Sequence, residues 1–218
     1  MNIELTADGS NTLFVPELNE HYHSVKGALT ESEHIFIRMG LEHHPSPIPR
    51  VLEIGFGTGL NAFLTLLYAD KAQRLVRYTT LERYPVPSEL IEQLDYPERI
   101  CPERAADFYA LHRAAWEEDV QITPYFTLHK IQTDFTTYGF PDKYDVIYFD
   151  AFAPEKQPEM WTQALFARLF ECLNPGGILT TYCAKGVVRR TLQVVGFTVE
   201  RLPGPPEGKR EILRASKP

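Results

Sequence analysis

The sequence predicts an α/β fold in which a mostly parallel sheet carries helices on both faces. Apolar segments typical of strands alternate with helix-forming segments from residue 50 to residue 196, which favours a parallel sheet. Glycines and prolines punctuate the junctions between these segments. The chain has 218 residues, 44% of them hydrophobic, which is enough for one domain with a substantial core.

Each element follows from its local pattern. We expect five parallel strands, a final antiparallel pair at the sheet edge because no helix separates its members, and four covering helices. The seven strands are predicted at 50–54, 75–81, 126–131, 144–149, 178–183, 197–202 and 211–215. The helices are predicted at 60–69, 87–94, 157–173 and 186–195, with a loop at 174–177 closing the third of them.

Two segments fall outside this rhythm. Residues 1–49 form an N-terminal extension that we expect to cover part of the binding site, with a strand at 13–15 and a helix near 30–42. A capping box of Thr30 and Glu33 is expected to start that helix. Residues 95–125 are predicted to be an insertion that packs against the sheet edge or, alternatively, walls the cleft. The whole chain, 1–218, is expected to be a single domain.

Composition excludes several classes of protein. The first residues lack the pattern of a signal peptide, and no apolar run is long enough to span a bilayer, so we expect a cytoplasmic protein without a membrane partner. The seven histidines lack the spacing and supporting ligands of a zinc site, so no metal is expected. The net charge of −7 does not by itself indicate a nucleic-acid binder.

A glycine-rich loop follows the first strand of the predicted sheet. Gly55, Gly57 and Gly59 allow a tight turn and close approach of a ligand, and the helix that follows presents free N–H groups. The spacing is G-x-G-x-G and not the G-x-G-x-x-G of dinucleotide-binding folds. We assign the same loop's Thr58 and Asn61 to the ligand site, together with Glu53, which stands two residues before the first glycine.

Acidic residues follow the next strands. Glu82 is placed to accept hydrogen bonds from ribose hydroxyls, and Asp134 to hold an adenine amino group. Either alone is better explained as a solvated surface acid. Together with the glycine loop they indicate a nucleoside ligand.

The fourth strand ends at Asp150, after a run of mostly apolar residues that should desolvate its carboxylate. Such a group can orient an amine or accept its proton. Phe152 and Pro154 follow it and offer flat apolar surface, although ordinary packing would also explain them.

Four blocks of the sequence resemble one family. They are the glycine loop Glu53–Asn61, the block Phe149–Thr162, the stretch Ala184–Gln193 and the run Gly208–Glu211, joined by an early segment with Tyr22 and Ser24. Together they resemble the methyltransferase domain of the bifunctional tRNA wobble-uridine modification proteins. The resemblance runs over nearly the whole chain, and the block starting at Phe149 is more specific than the glycine loop.

The resemblance implies a class I methyltransferase fold with S-adenosylmethionine as donor. It implies methylation of the amine of 5-aminomethyl-2-thiouridine in tRNA, with Asp150 catalytic and also at the cofactor. The matching cofactor positions are Glu53, Gly55, Gly57, Gly59, Glu82, Asp134 and Asp150. The family's bifunctional members carry a flavin-dependent domain, whereas this sequence ends at Pro218. We therefore expect any flavin step to be absent or to belong to a separate enzyme.

The last 36 residues carry eight basic and three acidic residues, so a local basic face can bind phosphate despite the net charge. An ordinary solvated surface explains the same charges equally well. If tRNA is the substrate, Phe152 and Trp161 stack on the unstacked base, although Trp161 is more simply a core residue. Tyr22, Ser24 and Pro154 complete the predicted substrate set, and the candidate phosphate contacts are Lys185, Arg189, Arg190, Lys209 and Arg210.

Two other functions stay open. The first is a methyltransferase or aminopropyltransferase-like enzyme acting on a small amine or a protein, which the negative net charge favours slightly. The second is a nucleotide-binding module without activity, which leaves the strand-end acids unexplained.

Overall fold

A computed structural model describes residues 1–206 and 208–218. The strands within them are β1 (Asn2–Leu5), β2 (Asn11–Val15), β3 (Glu20–His21), β4 (Arg50–Ile54), β5 (Val76–Glu82), β6 (Asp119–Thr123), β7 (Phe126–Gln132), β8 (Tyr144–Phe149), β9 (Leu173–Thr181), β10 (Thr198–Pro203) and β11 (Glu211–Ser216). The α-helices are α1 (Ala28–Ser32), α2 (Leu60–Ala72), α3 (Ser88–Ile91), α4 (Tyr96–Ile100), α5 (Ala105–Arg113), α6 (Gln163–Cys172) and α7 (Gly186–Val195).

The main sheet has eight strands in the order β10-β11-β9-β8-β4-β5-β7-β6. The five strands from β9 to β7 are parallel, and β10 and β11 form the expected antiparallel pair at one edge. The predicted count of seven strands is wrong, because β6 lies antiparallel to β7 at the other edge. Edge strand β6 exposes Asp119 and Gln121 and therefore lacks the apolar run that marks the central strands.

The parallel strands end in register at one side of the sheet. Ile54 of β4 lies opposite Leu81 of β5 and Phe149 of β8. The chain leaves β4 toward β5 on one side and returns to β8 on the other, so strand order reverses at β4. Ligands of open α/β sheets bind in the crevice that such a reversal creates.

Several helix boundaries differ from the predicted ones. The helix expected near 30–42 begins at Ala28 and passes at Glu33 into a π-helical stretch, Glu33–Leu41. The predicted capping box is wrong, since Thr30 lies within α1. Its backbone N–H and its hydroxyl both donate to a carboxylate oxygen of Asp8, each at 3.0 Å, so a residue distant in sequence binds the start of this helix.

Two further corrections concern α6 and β9. The segment predicted as one helix from 157 splits into a 3₁₀ turn, Pro158–Trp161, and α6, whose N-cap Thr162 accepts the Leu165 N–H. The predicted loop at 174–177 lies inside β9, where the pairing with β8 shifts register.

Two apolar clusters sandwich the sheet. One joins α2, the π-helical stretch and α5 to one face, with Phe36, Phe63 and Phe108 buried among them. The other joins α6 and α7 to the opposite face, around Phe149 and Phe166. The first three strands of the chain form a separate sheet with the order β1-β2-β3. Across residues 1–206 and 208–218, no helix has the length and apolar character to cross a membrane.

Candidate active site

The carboxyl ends of β4, β5, β7 and β8 open into a cleft. Its walls are the glycine loop after β4, the segments after the other three strands, and part of the N-terminal extension. Tyr22 and His23 are the residues of that extension that line it. Within the described part of the chain, none of the lining residues comes from 95–125.

The glycine loop uses the conformations that the sequence indicates. Gly55, Gly57 and Gly59 have φ values of 91°, 52° and 73°, where side chains are strongly disfavoured. A Cβ on Gly57 would lie 3.0 Å from the Tyr22 ring, and one on Gly59 would lie 2.7 Å from Nε2 of His112. The Tyr22 ring therefore lies directly against the loop at Gly57, and His112 of α5 packs against the start of α2 at Gly59.

Glu82 is fixed at the end of β5 by backbone groups. Gly57 N–H donates to Oε2 at 3.0 Å, and Tyr84 N–H donates to Oε1 at 2.7 Å. Each carboxylate oxygen has a second lone pair that can accept a hydroxyl. The carboxylate is therefore oriented as a diol-binding group would be, next to the glycine loop.

Two buried polar atoms at the loop have no hydrogen-bond partner among the described residues. They are Oγ1 of Thr58 and Oδ1 of Asn61, on side chains that are buried yet line the cleft. Buried polar groups normally have partners, so these atoms suit a polar ligand at the loop.

Asp134 lines the cleft after β7 with both oxygens already engaged. Oδ2 accepts from Arg83 at 2.7 Å, and Oδ1 accepts from the Thr136 hydroxyl at 2.6 Å and its N–H at 2.9 Å. The Thr136 hydroxyl is the main cause that lowers the pKa of Asp134. The carboxylate is therefore ionised and rigidly placed, and a base amino group would share it with these partners.

Glu53 occupies a different place from the other predicted ligand residues. Its side chain is 1% exposed, accepts a hydrogen bond from the Thr80 hydroxyl at 2.8 Å, and lies beneath the loop without lining the cleft. Burial raises the pKa of Glu53 well above its usual value. Burial thus favours the neutral form of this acid, and its side chain supports the site from below the cleft lining.

Asp150 lines the cleft at the end of β8. Its Oδ2 accepts a hydrogen bond from Asn61 Nδ2 at 2.9 Å, which ties it to the start of α2. Burial raises the pKa of Asp150 to about 7. A carboxyl group that titrates near neutrality can exchange protons at physiological pH.

Aromatic groups stand beside Asp150. The rings of Tyr22 and Phe152 meet edge to face across the cleft at 5.2 Å between centroids. Trp161 does not take the predicted stacking position: it is 8% exposed, packs on Phe149, and donates its indole N–H to the Phe152 carbonyl at 2.8 Å. Pro154 is half-buried and does not line the cleft. Trp161 therefore acts from the core by holding the backbone of Phe152.

Ser24 and the predicted basic residues lie outside the cleft lining. Lys185 pairs with Glu155, and Arg190 and Arg210 are exposed. Lys209 is partly exposed, pairs with the buried Glu31, and lies 4.6 Å from the centroid of the Tyr182 ring. Arg189 lies half-buried along α7.

Sequence reasoning missed several lining residues. Arg83 and Tyr84 directly follow Glu82, and their position after a strand end was an available signal. Gln157, Glu159 and Met160 line the cleft from within the block that starts at Phe149. His23 had no such signal. In residues 1–206 and 208–218, no group of three or more His, Cys, Asp or Glu residues is arranged to hold a metal.

A family model of S-adenosyl-L-methionine-dependent methyltransferases matches residues 106–218, which is more than half of the chain. The chain belongs to this family. Its donor is therefore S-adenosylmethionine, and the cleft has features that fit it: backbone-held Glu82, the glycine loop, and the atoms of Thr58 and Asn61 that have no partner among the described residues.

Two solved structures share the fold of this methyltransferase. The crystal structure of MnmC2 from Aquifex aeolicus matches with a TM-score of 0.75 and 24% identity, over 100% of this chain and 70% of that one. Spermidine synthase from Thermotoga maritima matches with a TM-score of 0.58 and 17% identity, over 100% of this chain and 72% of that one. Both likenesses place the chain in the class I methyltransferase architecture.

Proposed function

We propose that this methyltransferase transfers a methyl group to the primary amine of 5-aminomethyl-2-thiouridine at the wobble position of tRNA. Asp150 carries the proposal, because it combines a neutral-range pKa with a place beside the glycine loop. The resemblance of the block Phe149–Thr162 to the wobble-uridine modification family supplies the acceptor, and the likeness to the MnmC2 fold supports it.

The chemistry asks two things of the protein. Bound S-adenosylmethionine supplies an electrophilic methyl on a good leaving group, so the chain must place the amine in line and keep it neutral. Glu82 and the glycine loop form the side of the cleft that would hold the donor. Asn61, in the first turn of α2 directly after the loop, donates a hydrogen bond to Asp150.

The raised pKa of Asp150 lowers the cost of removing the amine proton. An alkylammonium has a pKa of about 10.4, so transfer to an ordinary Asp would cost about 9 kcal/mol. Transfer to a carboxyl group with a pKa of about 7 costs about 5 kcal/mol. Asp150 is therefore a better proton acceptor than Asp134, since Thr136 and Arg83 lower the pKa of Asp134.

The aromatic pair supplies the surface for an unstacked base. Tyr22 and Phe152 line the cleft next to Asp150, and Trp161 fixes the Phe152 backbone from below. Base–aromatic stacking contributes about 1–3 kcal/mol per base. A flipped wobble base thus finds both a flat contact and a proton acceptor in one place.

Mass spectrometry of wobble nucleosides tests this function. Purified protein is incubated with S-adenosylmethionine and tRNA bearing the aminomethyl base, and we expect a gain of one methyl on that nucleoside. Asp150→Asn should lose about a hundredfold or more in turnover when the donor is saturating. Donor affinity of the variant is measured separately, because Asp150 is also a predicted cofactor position. An unchanged nucleoside in the presence of bound donor would exclude the proposed acceptor.

A small amine is the second candidate acceptor. The net charge of −7 and the fold shared with a spermidine synthase favour it. Putrescine and spermidine offered as acceptors in the same assay distinguish the two functions. Methylation of these amines, without methylation of tRNA, would select this second function.

A further inference from the structure

One ion pair joins distant parts of the chain beside the active site. Glu31 of α1 is 8% exposed and pairs with Lys209, which lies in the loop between β10 and β11. The other carboxylate oxygen of Glu31 accepts the Ser24 N–H at 3.1 Å. Glu31 therefore fixes both the backbone that follows Tyr22 and His23 and the loop that carries Lys209.

Lys209 also reaches the catalytic carboxyl through Tyr182. The Lys209 ammonium lies 4.6 Å from the Tyr182 ring centroid, and the Tyr182 hydroxyl donates to the Ala151 carbonyl at 2.8 Å. Ala151 directly follows Asp150. A short chain of contacts thus runs from Lys209 to the backbone of the proposed proton acceptor.

Two more contacts hold the same parts of the chain together. Nε2 of His34 lies 2.9 Å from the Pro203 carbonyl oxygen, and Arg214 donates to the Met39 carbonyl at 3.3 Å. The final strand pair and its loop are thereby attached at Glu31 of α1 and at His34 and Met39 of the π-helical stretch. Among these three attachments, the Glu31–Lys209 pair lies nearest in the contact chain to Asp150.

We propose that the Glu31–Lys209 pair is a latch that closes the acceptor side of the site and makes Lys209 a positioning residue for Asp150, not a contact to RNA phosphate. The catalytic part of this inference rests on the proposed function. Its structural part, that the pair holds Ser24 and the neighbouring cleft residues in place, does not.

Charges around Asp150 give the latch an electrostatic signature. The groups that face Asp150 are Glu31 from α1, Lys209 from the β10–β11 loop, Asn61 from α2, Glu53 from β4, Tyr78 from β5 and Tyr182 after β9. Lys209 lowers the pKa of Asp150 and Glu31 raises it. Lys209→Met should therefore move the acid limb of the pH–rate profile to higher pH, and Glu31→Gln should move it to lower pH.

Hydrogen–deuterium exchange tests the latch without any acceptor. In Lys209→Met and in Glu31→Gln we expect faster exchange over residues 20–32, with donor affinity within about twofold of wild type. Arg201→Met is the matched control, because Arg201 forms an exposed pair with Glu211 at 3.6 Å in the same hairpin. Unchanged exchange in both latch variants would overturn the proposal, whether or not tRNA is the acceptor.

Kinetics separate a latch from a phosphate contact. With an active acceptor, we expect kcat/KM for Lys209→Met to fall between about tenfold and a hundredfold through misplacement of Asp150. The salt dependence of RNA binding should not change, whereas Arg210→Met should reduce it. Two results would refute the positioning role. The first is a reduced salt dependence of RNA binding in Lys209→Met with normal hydrogen–deuterium exchange. The second is a shift of the acid limb of the pH–rate profile in the same direction in both latch variants.

Discussion

Asp150 shows how one residue's surroundings prepare it for chemistry. The apolar strand β8 ends at its backbone, and only Asn61 donates a hydrogen bond to its side chain among the described residues. Burial therefore dominates and raises the pKa to about 7. Asp134, after the end of β7, accepts hydrogen bonds from three donor groups, and its pKa is lowered. Two acids at equivalent positions thus receive opposite properties.

Activity should follow the titration of Asp150. Because only the ionised carboxylate accepts a proton, kcat/KM is expected to rise with pH up to about 7 through this group. The measurement is a pH–rate profile of the wild type and Asp150→Asn with the methyl acceptor. A wild-type acid limb that persists unchanged in the variant would assign the limb to another group.

Stability should depend on pH through the same residue. A raised folded-state pKa means that the stability associated with the protonated carboxyl is present below the unfolded value of about 3.9 and is lost as pH rises through about 7. Asp150→Asn removes this loss, so its Tm should exceed that of wild type at pH 8 and approach it at pH 4. The expected gain is about 2–4 °C for each kcal/mol relieved. Equal pH dependence in both proteins would contradict the assigned shift.

Elements differ in how far the sequence determines them. Strands β4 and β8 and helix α7 have the predicted bounds, because their apolar patterns are flanked by clear punctuation. The π-helical form of Glu33–Leu41 had no local signal in the sequence, and this stretch packs against α2 and β9. Edge strand β6 was not predicted, because its polar sequence lacks the apolar run typical of a strand. It is held in the sheet by antiparallel pairing with β7.

The glycine loop offers a test at the level of an element. Gly59→Ala should destabilise the protein more than Gly176→Ala, although both positions have nearly equal φ, 73° and 76°. A left-handed Ala costs about 1–2 kcal/mol at either position. Only at Gly59 does the new Cβ also meet His112, at 2.7 Å, whereas nothing lies within 4 Å at Gly176. Overpacking adds about 1–3 kcal/mol.

Urea unfolding of the two variants measures this difference, and donor titration measures its effect on the site. We expect weaker S-adenosylmethionine binding for Gly59→Ala alone, because Gly59 precedes the first turn of α2. Equal loss of stability in both variants would show that the α5 contact does not constrain the loop.

For the molecule as a whole, fewer of the basic side chains near the C-terminus are free to bind RNA than the sequence alone indicates. Lys217 donates to the backbone carbonyls of Phe170 and Leu173, and four more of the eight basic residues after Cys183 pair with carboxylates. Those four are Lys185, Arg201, Lys209 and Arg214. The sequence could not predict these pairs, because their partners include Glu31 and Glu155, which are distant along the chain. Across residues 1–206 and 208–218, Arg189, Arg190 and Arg210 have no such carboxylate partner.

Salt dependence of tRNA binding tests that distribution. Replacing Arg190 and Arg210 together with Met should make the slope of log K against log salt shallower by about 0.7–0.9 for each phosphate that the protein no longer neutralises. Arg201→Met is the control, because its charge is already paired. Equal slopes for wild type and the double variant would place the RNA on another face.

The Glu31–Lys209 pair also has a consequence for the order of folding. Its members are 178 residues apart, so the entropy of closing that loop must be overcome before the pair can form. The glycine loop, Glu82, Asp134 and Asp150 lie between residues 55 and 150 and are held mainly by strands that pair with one another. During synthesis on the ribosome, the part of the cleft formed by these residues can therefore fold first. The part that depends on the Glu31–Lys209 pair can form only after the last strand pair has emerged. A nascent chain paused before residue 209 should accordingly keep its N-terminal segment open to protease.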